Sequence, residues 1–111
     1  MEVFFDDDRL RRDCNEEKAL TKRFNRQRAK LIRRRLDDLH AAPNLETMRL
    51  LPGRCHELTG DRKGQLSMDL DGPYRLIFRP VGNPIPRKPD GGLSWREVES
   101  ISIVEITDTH E

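Results

Sequence analysis

The sequence has little cysteine and no long apolar run, and each shortage excludes a class of protein. Its two cysteines, Cys14 and Cys55, stand far apart and form no CxxC motif, so they provide neither a disulfide framework nor a metal-ligand pattern. No stretch approaches the roughly 18 apolar residues that cross a bilayer, and the first residues lack the basic and apolar segments of a secretion signal. We therefore expect a reduced, cytoplasmic protein without a bound metal or a membrane partner.

A large net charge is also missing, although charged residues are abundant. They make up 37% of the chain, yet the net charge is only +1, and the mean hydropathy is -0.84. Polar chains stay unfolded mainly when like charges repel each other, and a near-neutral chain lacks that repulsion. Because 111 residues have room for one compact core, residues 1–111 are predicted to form a single folded domain.

The charges that are present are segregated along the chain. The stretch from Lys18 to Arg35 contains no acidic residue, whereas the stretch from Glu97 to Glu111 is rich in acids. Nine cations occupy the basic stretch: Lys18, Lys22, Arg23, Arg26, Arg28, Lys30, Arg33, Arg34 and Arg35. Because a partner responds to the local field rather than to the net charge, this stretch can hold nucleic-acid phosphates or dock an acidic protein segment.

The first half of the chain has a helical pattern. Between about Leu10 and Ala42 there is no Gly and no Pro, and apolar residues recur at steps of three, four and seven, as an amphipathic helix requires. Asn25, or the region around Cys14 and Asn15, could divide this stretch into two helices. A short strand at 3–5 is predicted before it, and a turn of helix at 44–51 after it.

From Arg54 onward the pattern alternates, as in strands. Strands are predicted at about Arg54–Leu58, Gln65–Leu70, Tyr74–Arg79 and Val98–Ile106, with a long exposed connection at 80–92. Helices followed by antiparallel strands predict an α+β fold, in which the N-terminal helices pack on one face of a small twisted, mainly antiparallel sheet. The other face is then open to a ligand, and it is bordered by Arg54, His56, Arg62, Lys63, Arg75, Arg79 and His110.

Two motifs in this half carry a resemblance to a known family. Residues 56–79 read HELTGDRKGQLSMDLDGPYRLIFR, and residues 104–110 read VEITDTH. Together they resemble the HigB-like killer proteins of the RelE/ParE superfamily, in which a G-D-R-x-G-Q turn precedes an R-x-x-F strand and V/I-E-I-x-D-Y-H ends the chain. The similarity spans roughly Leu50 to His110, apart from the Pro-rich insertion.

The resemblance implies a toxin with a RelE-like fold that cuts messenger RNA on the ribosome and so inhibits translation. It also implies neutralisation by a HigA-type helix-turn-helix antitoxin, in a complex that is a heterotetramer or larger. One residue departs from the family pattern, because Thr109 stands where the motif has tyrosine. If that ring stacks on a substrate base, its loss removes about 1–3 kcal/mol of binding.

Internal cleavage of RNA defines which residue types to look for. Attack by the 2′ hydroxyl needs a proton acceptor, a proton donor and positive charge at the phosphate, and it requires neither a metal nor a cofactor. His110 is the candidate acid or base because imidazole titrates near neutral pH, and Asp108 could orient its ring. Arg75 is interpreted either as a phosphate clamp or as a structural ion pair with Asp69 or Glu105.

The remaining candidates each have two interpretations. Arg62 and Lys63, in a turn flanked by glycines, could grip backbone phosphates or could simply be solvated. His56 could be a second acid or base, or a half-buried strand histidine. Arg54 and Arg79 complete the set of predicted RNA-binding residues.

A function of another class also fits the same motifs. The chain could be a non-enzymatic binding module, either a gyrase inhibitor as in the ParE branch or an inactive toxin that only binds its antitoxin. The Thr109 departure favours this alternative, whereas a histidine at position 110 favours the nuclease.

Overall fold

The computed structural model describes residues 1–109. Within this range the α-helices are α1 (Asp8–Cys14), α2 (Glu17–Phe24) and α3 (Arg26–Ala41). The strands are β1 (Glu2–Phe5), β2 (His56–Glu57), β3 (Leu66–Asp69), β4 (Tyr74–Pro80) and β5 (Ser100–Asp108). Short 3₁₀ turns lie at Leu45–Leu50, Gly60–Arg62 and Trp95–Glu97. None of the helices in residues 1–109 is both long and apolar enough to cross a membrane.

The helical half is divided at both of the points that the sequence suggested, rather than at one. Helix α1 ends at Cys14, and Asn25 separates α2 from α3. Asn25 has a φ of 68°, and its side-chain oxygen accepts a hydrogen bond of 2.9 Å from the backbone N–H of Arg28. Asparagine is enriched among non-glycine residues with a positive φ and is a preferred helix N-cap, so one residue both ends α2 and starts α3.

In the described part of the chain, the five strands form one sheet in the order β1-β5-β4-β3-β2. Neighbouring strands are antiparallel except for β1 and β5, which are parallel. The predicted α+β class is therefore confirmed. The predicted start of β2 at Arg54 is wrong, because Arg54 has a φ of 50° and an extended strand cannot include that conformation.

The apolar core lies between the helices and one face of the sheet. Its fully buried side chains include Ile32, Leu36 and Leu39 from α3, Met68 from β3, Leu76 and Phe78 from β4, and Ile101 and Ile103 from β5. Side chains alternate across a strand, so Ser67 and Arg75, next to Met68 and Leu76, belong to the opposite, open face of the sheet.

Trp95 anchors the long connection between β4 and β5 to the rest of the fold. Its ring is buried, its Nε1 donates a hydrogen bond of 2.9 Å to the carboxylate of Glu57, and the Arg49 guanidinium lies 3.7 Å from the ring centroid. The connection also contains an internal hydrogen bond, which the backbone N–H of Ser94 donates to the carbonyl of Pro86. These contacts give an exposed segment a defined position.

A buried arginine links the core to the end of β3. Arg35 is only 7% exposed, and its Nε donates a hydrogen bond of 2.9 Å to the backbone carbonyl of Asp69. The backbone N–H of Asp69 in turn donates to the carbonyl of Gly53 at 2.7 Å. Gly53 has a φ of 113°, and a Cβ atom there would lie 2.8 Å from the Nε of Arg35. This position therefore requires glycine both for its backbone conformation and for space.

Gly53→Ala should lower the free energy of unfolding by about 2–3 kcal/mol, because backbone strain adds to the collision with Arg35. Gly64→Ala is the matched control, since Gly64 has a φ of 93° but no atom within 4 Å of an added Cβ. The control should cost about 1 kcal/mol. Urea denaturation of the two variants measures the difference, and equal losses would show that the close approach to Arg35 does not matter.

Candidate functional site

The open face of the sheet contains a hollow of about 660 Å³, which we call the first hollow. Its walls come from β3, β4, the end of β5 and the β2–β3 hairpin. The structure brings the predicted residues Arg54, His56, Arg62, Arg75 and Asp108 together here. The rest of the lining is Leu58, Thr59, Gly60, Asp61, Ser67 and Thr109.

Asp69 holds two of these arginines. Its carboxylate accepts hydrogen bonds of 2.9 and 3.1 Å from the Nε and Nη2 of Arg54, and it lies 2.9 Å from the Nε of Arg75. The hydrogen bond from Arg54 lowers the pKa of the Asp69 carboxyl, against the opposing effect of partial burial and with help from the charge of Arg75. Asp69 therefore stays ionised and keeps both guanidinium groups in place.

Arg75 makes the ion pair with Asp69 that was one of its two interpretations. Its Nη1 also donates to the carbonyls of Gly72 and Tyr74, at 2.9 and 2.8 Å. A guanidinium has five N–H donors, and these contacts within residues 1–109 use only its Nε and Nη1. The ion pair thus orients Arg75 without using all its donors, so phosphate contact remains chemically open.

Arg62 and His56 are also held by neighbours. The Nη2 of Arg62 donates to Glu105 at 2.9 Å, and its Nη1 donates to the side-chain oxygen of Gln65 at 3.0 Å. The Nδ1 of His56 lies 2.8 Å from the backbone carbonyl of Arg54. Because a carbonyl can only accept, Nδ1 carries a proton, and Nε2 is the ring nitrogen left for contact with a substrate.

Two predicted RNA-binding residues, Lys63 and Arg79, do not line the first hollow. Arg79 lies four residues beyond Arg75 on β4, a distance of about 13 Å along a strand. Its Nη2 and Nε lie 3.0 and 3.1 Å from the carboxylate of Asp6, and this hydrogen bonding lowers the pKa of Asp6. Asp6 also accepts from the hydroxyl of Ser102. The pair therefore ties the segment after β1 to the sheet.

The C-terminal motif is described only in part. His110, the main acid or base candidate, lies outside residues 1–109. Asp108 ends β5 at the rim of the first hollow, paired with Tyr74 rather than with Arg75. Thr109 lines the same hollow, and its hydroxyl donates to the carbonyl of Pro73 at 3.3 Å. The described part of the motif, through Thr109, therefore reaches the first hollow.

Sequence reasoning named Asp69 only as one possible partner of Arg75 and missed its pairing with Arg54. A local signal was available for the first contact. Asp69 and Arg75 flank the Asp71–Pro73 turn, and an antiparallel hairpin places them opposite each other. No comparable signal exists for Arg54, whose left-handed backbone turns it toward Asp69 from outside the sheet.

Neither thiol is activated. Burial raises the pKa of Cys14 to about 11 and that of Cys55 to about 12, so both are protonated and act as small apolar residues. Within residues 1–109, no group of three or more His, Cys, Asp or Glu side chains is placed to hold a metal ion.

The fold has a solved counterpart among bacterial toxins. Over 99% of its length the chain superposes on all of a YoeB/ParE toxin from Agrobacterium tumefaciens, with a TM-score of 0.60 and 12% sequence identity. The architecture is thus the RelE/ParE-type toxin fold, as the resemblance implied. The sequence matches no protein-family model and no curated protein, so the assignment to this fold comes from the structure.

Asp69→Asn tests the ion pairs of the first hollow. Since the pKa of Asp69 is lowered in the folded state, its stabilising effect is complete above the unfolded pKa of about 3.9 and is lost as the pH falls through the folded pKa. Near neutral pH the variant should be less stable by about 1–2 kcal/mol, a range reduced because solvent screens this half-buried group. The difference should shrink below about pH 4.

Urea denaturation from about pH 7 to about pH 3 measures this difference. Asp90→Asn is the control, because the side chain of Asp90 is 71% exposed and lies 3.9 Å from Lys88. Its loss of stability near neutral pH should be smaller than that of Asp69→Asn, because an exposed ion pair contributes little. A stability difference for Asp69→Asn that persists undiminished to about pH 3 would rule out the ionised carboxylate as its source.

Proposed function

We propose that residues 1–111 form a single-domain toxin of a type II toxin-antitoxin system, which inhibits translation by cutting ribosome-bound messenger RNA. The observation that carries this proposal is the first hollow, where Arg54, Arg62, Arg75 and His56 converge on the open face of a toxin-type fold. The HigB-like motifs support a nuclease of the RelE/ParE superfamily, because they supply Arg62 in the hairpin turn and His110.

The proposed reaction needs no group other than side chains. A base takes the proton of the 2′ hydroxyl, and the oxygen attacks the adjacent phosphorus. The bond from phosphorus to the 5′ oxygen then breaks, and an acid protonates that oxygen, which leaves a 2′,3′-cyclic phosphate and a 5′ hydroxyl end. His110 and His56 can divide the two proton transfers, with Asp108 orienting the ring of His110.

Arg62 and Arg75 stabilise the negative charge that builds on the phosphate. Their carboxylate partners fix each guanidinium before the substrate arrives, so little reorganisation is needed during the reaction. Arg54, Lys63 and Arg79 contribute phosphate contacts outside the reacting centre.

The partners follow from the same assignment. We propose a HigA-type antitoxin, a heterotetrameric or larger complex, and action in the cytoplasm. The basic surface of α2 and α3 is the proposed contact for ribosomal RNA or for an acidic antitoxin segment. Five cations of this surface form no ion pair within residues 1–109: Lys18, Lys22, Arg26, Lys30 and Arg34.

A non-enzymatic binding module is the second candidate. It is favoured by the pairing of Arg54, Arg62 and Arg75 with carboxylates, which reduces the positive charge available to a substrate. Thr109 in place of the family tyrosine favours it as well. Growth arrest with intact messenger RNA would select this candidate.

His110→Ala and Arg75→Ala should each relieve growth inhibition when the protein is expressed from an inducible promoter. The wild type should produce new transcript ends inside translated regions, and 5′-end mapping soon after induction should show a loss of at least about tenfold in each variant. His40→Ala is the matched control, because His40 is exposed on α3 and does not line the first hollow. If both site variants stay fully toxic while folded, the assigned site is wrong.

Thr109→Tyr should raise cleavage, because a ring at this position can stack on a substrate base. The expected gain is about tenfold or more, from about 1–3 kcal/mol of stacking. Thr109→Leu adds apolar volume without an aromatic face and should gain less. Equal cleavage by the wild type and both variants would show that the missing ring does not limit activity.

A further inference from the structure

A second hollow of about 870 Å³ adjoins the first one. It lies between the β2–β3 hairpin and the connection from β4 to β5, the Pro-rich segment that the family motifs do not include. Leu58, Thr59 and Gly60 line both hollows, so the hairpin turn is their common wall. The other lining residues are Glu57, Lys63, Gly64, Gln65, Leu66, Arg79, Pro80, Ile85, Arg87 and Leu93.

The lining charge of this second hollow is mainly positive. Lys63 is exposed and forms no ion pair within residues 1–109, and the Nη1 of Arg87 donates only to the carbonyl of Gly91, at 3.2 Å. Arg79 is the cation already neutralised, by Asp6. The carboxylate in the lining, Glu57, is engaged by the Nε1 of Trp95. Two cations are thus available to an anion, in contrast to the paired arginines of the first hollow.

The lining also contains apolar residues, and we call Leu58, Pro80, Ile85 and Leu93 the apolar floor. Leu58 and Ile85 are half-buried, and Leu93 and Pro80 are buried. A polynucleotide strand presents this same combination, since each nucleotide joins a flat base to an anionic phosphate. An acidic peptide would match the cations but would not fill the apolar floor with a flat group.

The connection from β4 to β5, which forms one side of the second hollow, is held in place by contacts within the protein. The backbone N–H of Lys88 donates to the carbonyl of Gly92 at 2.7 Å, Arg87 pairs with Leu93, and Trp95 anchors the return of the chain. On the side of the β2–β3 hairpin, no atom lies within 4 Å of a Cβ added at Gly60 or Gly64. A polynucleotide can therefore pass close to the backbone of this turn.

We propose that the second hollow binds the continuation of the single-stranded RNA whose scissile phosphate occupies the first hollow, with Lys63 and Arg87 holding backbone phosphates. This inference rests on the proposed function. It makes the Pro-rich connection part of the RNA-binding surface and extends the RNA contact beyond the nucleotides that react.

Binding of a 2′-O-methylated RNA of about eight nucleotides, which cannot be cleaved by 2′ attack, tests the proposal by fluorescence anisotropy at several salt concentrations. The double variant K63Q/R87Q should bind about tenfold more weakly, and the slope of log affinity against log salt should fall by about 1.4, because two phosphate contacts are lost. The full-length control K88Q/R96Q removes two cations from the same connection that line neither hollow. It should change affinity less than about twofold.

Three results would overturn the inference. Equal affinity of the K63Q/R87Q and K88Q/R96Q variants is the first, and absence of wild-type binding even at low salt is the second. The third is binding of poly-glutamate of equal charge as tightly as RNA, with the same dependence on Lys63 and Arg87. The first result combined with loss of binding in Arg75→Gln would show that only the first hollow binds RNA. Transcript mapping in cells tests the proposed function separately.

Discussion

The candidate site depends on how the structure places Asp69. Its backbone joins β3 to Gly53 and to the buried Arg35, and its carboxylate joins Arg54 and Arg75. A single residue thus connects the apolar core to the open face of the sheet. Since Asp69 lies at the end of β3, a shift in the register of β3 against β4 would separate its carboxylate from Arg75. The position of Asp69 at the first hollow therefore depends on the buried Arg35, which packs on the opposite side.

Pairing with carboxylates has two consequences for the arginines of the first hollow. It fixes their orientation, which favours a site where charge develops briefly on a phosphate. It also reduces the field that a distant polyanion experiences, because each cation has a nearby anion. Within residues 1–109, cations without carboxylate partners lie on the surface of α2 and α3 and in the second hollow, so under the proposed function they would provide the long-range attraction of RNA. Under that proposal, the oriented arginines and the cations that attract RNA lie in different parts of the molecule.

Much of the fold could be predicted from the sequence. The helical and alternating periodicities gave the α+β class, and Asn25 and Cys14 marked real helix ends. Arg75, Arg62 and His56 were also expected to border one open face, because the sequence assigned them to strands and turns of the same half. The left-handed backbone of Arg54, which excludes it from β2, could not be predicted. Neighbouring residues give no signal for a positive φ at a non-glycine residue. The ion pair of Arg79 with Asp6 could not be predicted either, because the two residues are distant in sequence.

The sequence by itself determined the local elements and the residue types available for chemistry, because periodicity, capping and turn formation depend on neighbours within a few positions. Only the tertiary structure decided which charges are neutralised. Arg54, Arg62 and Arg79 look equivalent along the chain, yet Asp69, Glu105 and Asp6 give each a different environment. Those pairings need strand order and register that bring distant residues together, and such contacts arise from packing of the whole chain.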